Sequence, residues 1–185
     1  MKLKAAALGL LLAGLVNGPA LAGEFAVTSP SLSDGATIGN KHVFAGFGCA
    51  GDNRSPALSW SGAPAEAKSF AVTVYDPDAP TGSGWWHWVV FNIPAGTTDL
   101  KEGAGDAKGA SLPAGSVQSV TDFGQPGFGG PCPPAGDKPH RYIFTVHALK
   151  LEKLPLEAGA SGAMVGFFLG QNTIAKASVT GLYGR

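Results

Sequence analysis

Three stretches of this chain concentrate residues able to hold or transfer a proton. The first is Asp76-Pro77-Asp78-Ala79-Pro80. Each proline fixes its own φ and biases the residue before it, so the two carboxylates sit on a stiff loop. The second is Trp85-Trp86-His87-Trp88, which opens an apolar run. Period-two alternation puts His87 on one face with Val89, Phe91 and Ile93, and Trp86 and Trp88 on the other. The third runs from Gly129-Gly130-Pro131-Cys132-Pro133-Pro134 to Pro139-His140-Arg141-Tyr142. There His140 and Tyr142 share a face with Phe144 and Val146. Of the glycine- and proline-rich turn, only Gly129, Gly130 and Cys132 could offer backbone N–H groups to an anion.

Two imidazoles, a phenol and a few backbone donors can surround a phosphate or carboxylate. An aspartate beside a histidine fixes its tautomer and favours the protonated ring, which strengthens the hold on an anion. A metal site is the weaker reading, because no His-x-His or His-x-x-x-His pair sets two ligands on one element. No cofactor is implied. A serine triad lacks its Gly-x-Ser-x-Gly elbow. His42 and His147 read as structural, His147 lying on the opposite face of its strand from His140 and Tyr142.

The elements that must position these groups are strands. Lys68 to Tyr75 alternates, Trp86 to Ile93 is apolar on both faces, and Arg141 to Leu149 is rich in aromatic and β-branched residues. Weaker strands are expected over His42 to Phe47, Ala57 to Trp60 and Ala177 to Tyr183. A helix is expected over Ala160 to Gln171, with Met164, Val165, Phe168 and Leu169 at helical spacing. Its glycines give it poor intrinsic propensity, so packing must hold it. The fold class is mainly β, a sandwich with a late helix docked on it.

The start of the chain reads as a signal peptide, residues 1–22. Lys2 and Lys4 precede an apolar run from Ala5 to Val16, Pro19 breaks it, and Ala20-Leu21-Ala22 is a cleavage signature. The run is shorter than the roughly 20 apolar residues of a spanning helix. A periplasmic or secreted protein cleaved after Ala22 is expected, with residues 23–185 forming a single domain. The chain carries 13 basic and 13 acidic residues. Without Lys2 and Lys4 the acidic residues are two in excess, which argues against nucleic acid or anionic lipid surfaces as partners. Cys49 and Cys132 in an oxidising compartment are most simply a disulfide, with two separate buried thiols as the alternative.

DPDAP, WWHWVVFNIP and GPCPPAGDKPHRY, in this order, closely resemble the phosphatidylethanolamine-binding protein family. More narrowly they resemble its bacterial branch, the Raf-kinase-inhibitor-like proteins of the YbhB/YbcL type, as does FGCAGDNRSPALSW. The resemblance implies a sandwich of antiparallel sheets with an anion pocket near the surface and a C-terminal helix. It assigns Asp76, Asp78, His87, His140 and Tyr142 to the pocket, Gly130 and Pro131 to its rim, and Pro80 and Trp85 to an apolar lip. The ligands it implies are phosphate-like, including phospholipid head groups and phosphotyrosine mimics. Some eukaryotic relatives bind kinases or other signalling proteins, and bacterial members often pair as homodimers. The loop Thr81-Gly82-Ser83-Gly84 is shorter than in eukaryotic members, so the resemblance does not extend to partner recognition through it.

The expected function is therefore a binding protein for a small anionic ligand, without a turnover reaction. A protein-interaction or inhibitor module acting through its surface is one rival. A hydrolase using Asp76 and His87 as an acid–base pair is the other.

Overall fold

The computed structural model describes residues 23–185; the expected signal peptide lies outside them. Ten strands and one helix follow in the order β1 (Ala26–Thr28), β2 (Ala45–Gly46), β3 (Cys49–Ala50), β4 (Leu58–Ser61), β5 (Ser69–Asp76), β6 (Trp85–Pro94), β7 (Asp99–Leu100), β8 (Val117–Gln118), β9 (His140–Leu149), α1 (Gly162–Asn172) and β10 (Thr173–Tyr183). A five-stranded sheet has the order β10-β9-β5-β6-β8, and a smaller one the order β1-β4-β7. Every pairing between these strands is antiparallel.

The three strands with the clearest sequence signal, β5, β6 and β9, lie side by side at the centre of the larger sheet. Their apolar residues on both faces demand cover on both sides. One face meets the smaller sheet, where Val72, Val74, Trp88, Val90 and Phe144 pack with Leu58, Trp60 and Leu100. On the other face Ala71, Val89 and Phe91 meet Val165 and Leu169 of α1. Burying each of the larger side chains contributes about 1.5–3 kcal/mol relative to exposure.

α1 is held by packing, as its glycine content requires. Ser161 caps it by accepting a hydrogen bond from Met164 N at 3.2 Å. A Cβ on Gly162 would collide with the Trp86 indole, so glycine lets the helix approach that ring. Met164, expected among the packing residues, is instead about half exposed.

Two expectations are corrected. The segment from His42 to Phe47 is not one strand. A 3-10 turn over Asn40–His42 precedes the short β2, with the His42 ring bonded to Arg54 O at 2.6 Å and Ser31 Oγ at 2.9 Å. The face of His87 also differs. Opposite Val74 and Tyr75, β6 presents Trp88 and Trp86, so His87 is the extra residue of a β-bulge. The bulge reverses the alternation. Trp86 joins Val89 and Phe91 on the α1 side, and His87 turns to meet Tyr142 edge-on, with ring centroids 5.0 Å apart.

Candidate functional site: a cavity at the ends of β5, β6 and β9

Asp76 ends β5, and its carboxylate organises the loop beyond it. Oδ1 accepts hydrogen bonds from Asp78 N at 2.8 Å and Ala79 N at 3.1 Å, an Asx-type turn. Oδ2 accepts from His140 Nδ1 at 2.8 Å. This places a hydrogen on Nδ1 and fixes which edge of the His140 ring remains free. His140 Nε2 lies 3.5 Å from Asp137 Oδ2.

His87 is anchored differently. Gly129 O lies 2.6 Å from its Nδ1, and a carbonyl can only accept, so Nδ1 carries the hydrogen. Burial pushes the ring's pKa down to about 4, outweighing the carbonyls and carboxylates that favour the charged form. The ring is neutral near pH 7, with Nε2 left without a protein partner among the described residues. Burial, reinforced by the neighbouring Asp76, raises the Tyr142 phenol well above the usual tyrosine range. It stays protonated and can donate.

These four side chains line one cavity of about 220 Å³. Pro80 and Trp85 also line it, as the apolar lip assigned to them. Neither lysine nor arginine does. The walls include two aromatic residues not assigned to the pocket from the sequence, Phe47 and Phe123, whose rings stack at 6.0 Å. Phe47 is 67% exposed and Phe123 packs edge-on against both His87 and Trp85. Glycines flank Phe47 on both sides, a signal of an aromatic presented on a turn. Phe123 stands in a loop with no periodicity to reveal it.

Three expected positions fall outside this lining. Asp78 points away and forms a fork with Arg141, accepting from Nε at 2.8 Å and Nη2 at 2.7 Å. Gly130 N donates to Asn53 Oδ1 at 2.7 Å, and a Cβ on Gly130 would strike His42 O. Pro131 O accepts from Phe44 N at 3.0 Å. Both are buried rim supports rather than contacts. Two of the three expected backbone donors are committed, Gly130 N as above and Gly129 N to His87 O at 2.8 Å. The acid–base pair considered for a hydrolase is not formed, because Asp76 bonds His140 rather than His87.

Cys49 and Cys132 are joined in a disulfide. It ties the β2–β3 hairpin, which carries Phe47, to the proline-rich segment that also lines the cavity. Arg185 adds to this tie, donating to Pro133 O at 2.7 Å and Phe47 O at 3.1 Å. Among the described residues no cluster of three or more His, Cys, Asp or Glu could hold a metal, and no helix is long and apolar enough to cross a membrane.

Residues 28–184 match the family model described as phosphatidylethanolamine-binding protein, and the chain belongs to that family. Within it the chain is of the YbhB/YbcL type. It is 58% identical to the UPF0098 protein YbcL of Escherichia coli over 164 residues, covering 89% of this chain and 90% of that protein. Identity to YbhB of the same organism is 54% over 155 residues, covering 84% and 97%. The crystal structure of YbcL superposes with a TM-score of 0.86, covering 88% of this chain and 99% of that one.

Proposed function

We propose that this protein is an exported binding protein that holds a small anionic group, of phosphate or carboxylate type, in the cavity at the strand ends, and does so without turnover. The observation that carries this reading is the convergence of Asp76, His87, His140 and Tyr142 on one opening. A polar floor under an aromatic and proline-lined mouth suits an anionic head with an apolar substituent. The cavity is smaller than the roughly 300–1,000 Å³ of drug-sized sites, so it would admit the head and leave the remainder at the mouth.

Two features favour binding over catalysis. Asp76 is occupied by His140 and two backbone N–H groups, and Cys132, which lines the cavity, is committed to its disulfide. Export is supported by the leader-like residues 1–22 and by a disulfide that needs an oxidising compartment.

Calorimetric titration of phosphoethanolamine into the wild type and a His87→Ala, His140→Ala double variant tests the reading. Binding to the wild type with at least tenfold loss in the variant is expected. Equal affinities would sink the assignment. A surface-acting inhibitor role has one observation in its favour, the exposed Phe47 at the mouth. A periplasmic partner captured equally well by the double variant would support that role instead.

A further inference from the structure

The polar floor is short of hydrogen-bond donors, and this bears on the form of anion it can take. His87 spends its one hydrogen on Gly129 O, so the neutral ring offers a lone pair at Nε2. His140 spends its Nδ1 hydrogen on Asp76 Oδ2, and any hydrogen on its Nε2 has the Asp137 carboxylate 3.5 Å away. Among the four floor side chains the Tyr142 hydroxyl is the donor left, with the Asp76 carboxylate beside it, and the Trp85 indole N–H adds one at the lip.

No guanidinium or ammonium group lines the cavity. The Arg141 guanidinium is forked onto Asp78, and that of Arg185 onto the carbonyls of Pro133 and Phe47. Charged and titratable groups around His87 come from three other elements. Asp76 faces it from β5, His140 and Tyr142 from β9, and Asp122 from the loop after β8. Asp122 accepts from Trp86 N at 2.7 Å and remains a nearby carboxylate.

A doubly charged phosphate in this setting would set its lone pairs against the His87 lone pair and within the field of two carboxylates. Like charges and unsatisfied acceptors in a dry site are costly. One added proton, whether on the phosphate oxygen or on Nε2, converts that contact into a charge-assisted hydrogen bond.

We propose that the cavity binds phosphate monoesters with one proton more than the free protein and the dianion carry together, a proton shared between the phosphate oxygen and His87 Nε2. The inference rests on the reading of the cavity as an anion site. Above the second pKa of the ester, about 6, the extra proton comes from solvent and binding becomes pH-dependent.

Phenyl phosphate is titrated into the wild-type protein between pH 5 and pH 8.5, in buffers of differing ionisation enthalpy so that protons are counted. Affinity should fall by about tenfold per pH unit above pH 7, since one proton is linked to binding. Proton uptake should approach one at pH 8 and decline toward pH 5. Affinity that is flat from pH 6 to pH 8.5 with no proton uptake, yet lost in the His87→Ala, His140→Ala variant, would overturn this inference and leave the anion site standing. Absence of binding at every pH would overturn both.

Discussion

The Asp76 carboxylate holds the His140 imidazole at 2.8 Å, with the two side chains only 3% and 6% exposed. The same carboxylate pins the start of the following loop through two backbone N–H groups. A single side chain thus sets both a ring orientation and a loop conformation.

Asp76→Ala should therefore cost more than a surface change. It leaves the buried His140 Nδ1–H and two part-buried backbone N–H groups without their acceptor, and an unsatisfied buried donor costs about 1–3 kcal/mol. Urea denaturation at pH 7 should show a loss of about 3 kcal/mol together with weaker anion binding. A loss below about 0.5 kcal/mol would contradict the bonding described.

Asp78→Ala should behave otherwise. The Arg141 guanidinium, chiefly through its hydrogen bonds, holds the Asp78 carboxyl down at about 2. With the folded pKa below the unfolded one, the stabilisation is present above about pH 4 and is lost as pH falls through 2. The pair is partly exposed, so the loss at pH 7 should be at most about 1 kcal/mol. Phosphoethanolamine affinity should stay within about twofold by calorimetry, since Asp78 does not line the cavity.

Acid should destabilise the fold through its buried neutral histidines. Burial lowers both His87 and His147 to about 4. Their folded pKa values lie below the unfolded value of about 6.5, so unfolding takes up protons below that pH. Their contribution is intact above pH 6.5 and is lost as pH falls toward 4. Guanidinium denaturation at pH 5 and pH 7.5 should show a clear decrease at pH 5, reduced in a His147→Gln variant.

Removing the disulfide should loosen the mouth as well as the fold. The cysteines are 83 residues apart, and closing such a loop stabilises by about 4.5 kcal/mol in the chain-entropy model. Unreduced protein should show no alkylatable thiol by mass spectrometry, and Cys49→Ser, Cys132→Ser should unfold at lower denaturant. Two alkylatable cysteines in the unreduced protein would refute the bond.

Much of this arrangement is legible in the amino-acid sequence. β5 alternates, β6 is apolar on both faces and β9 is rich in aromatic and β-branched residues, and each bears a site residue at or near one end, so their adjacency brings Asp76, His87 and His140 together. The face of His87 is not legible there, because a bulge is set by how β6 pairs with β5 rather than by β6 alone. Nor does the sequence separate Asp78 from Asp76. Only the position of Arg141 turns one carboxylate outward while the other is buried. The short strands β1, β3 and β8 carry too few residues for any period to register, and they depend on longer neighbours for their pairing.

The central claim is that one anion touches both histidines at once, and imidazole nitrogen NMR tests it most directly. Titration of phosphoethanolamine into ¹⁵N-labelled protein should move the Nε2 signals of His87 and His140 together, with a single saturation curve, while His42 and His147 stay in place. Saturable binding that leaves the His87 and His140 signals unmoved would contradict it.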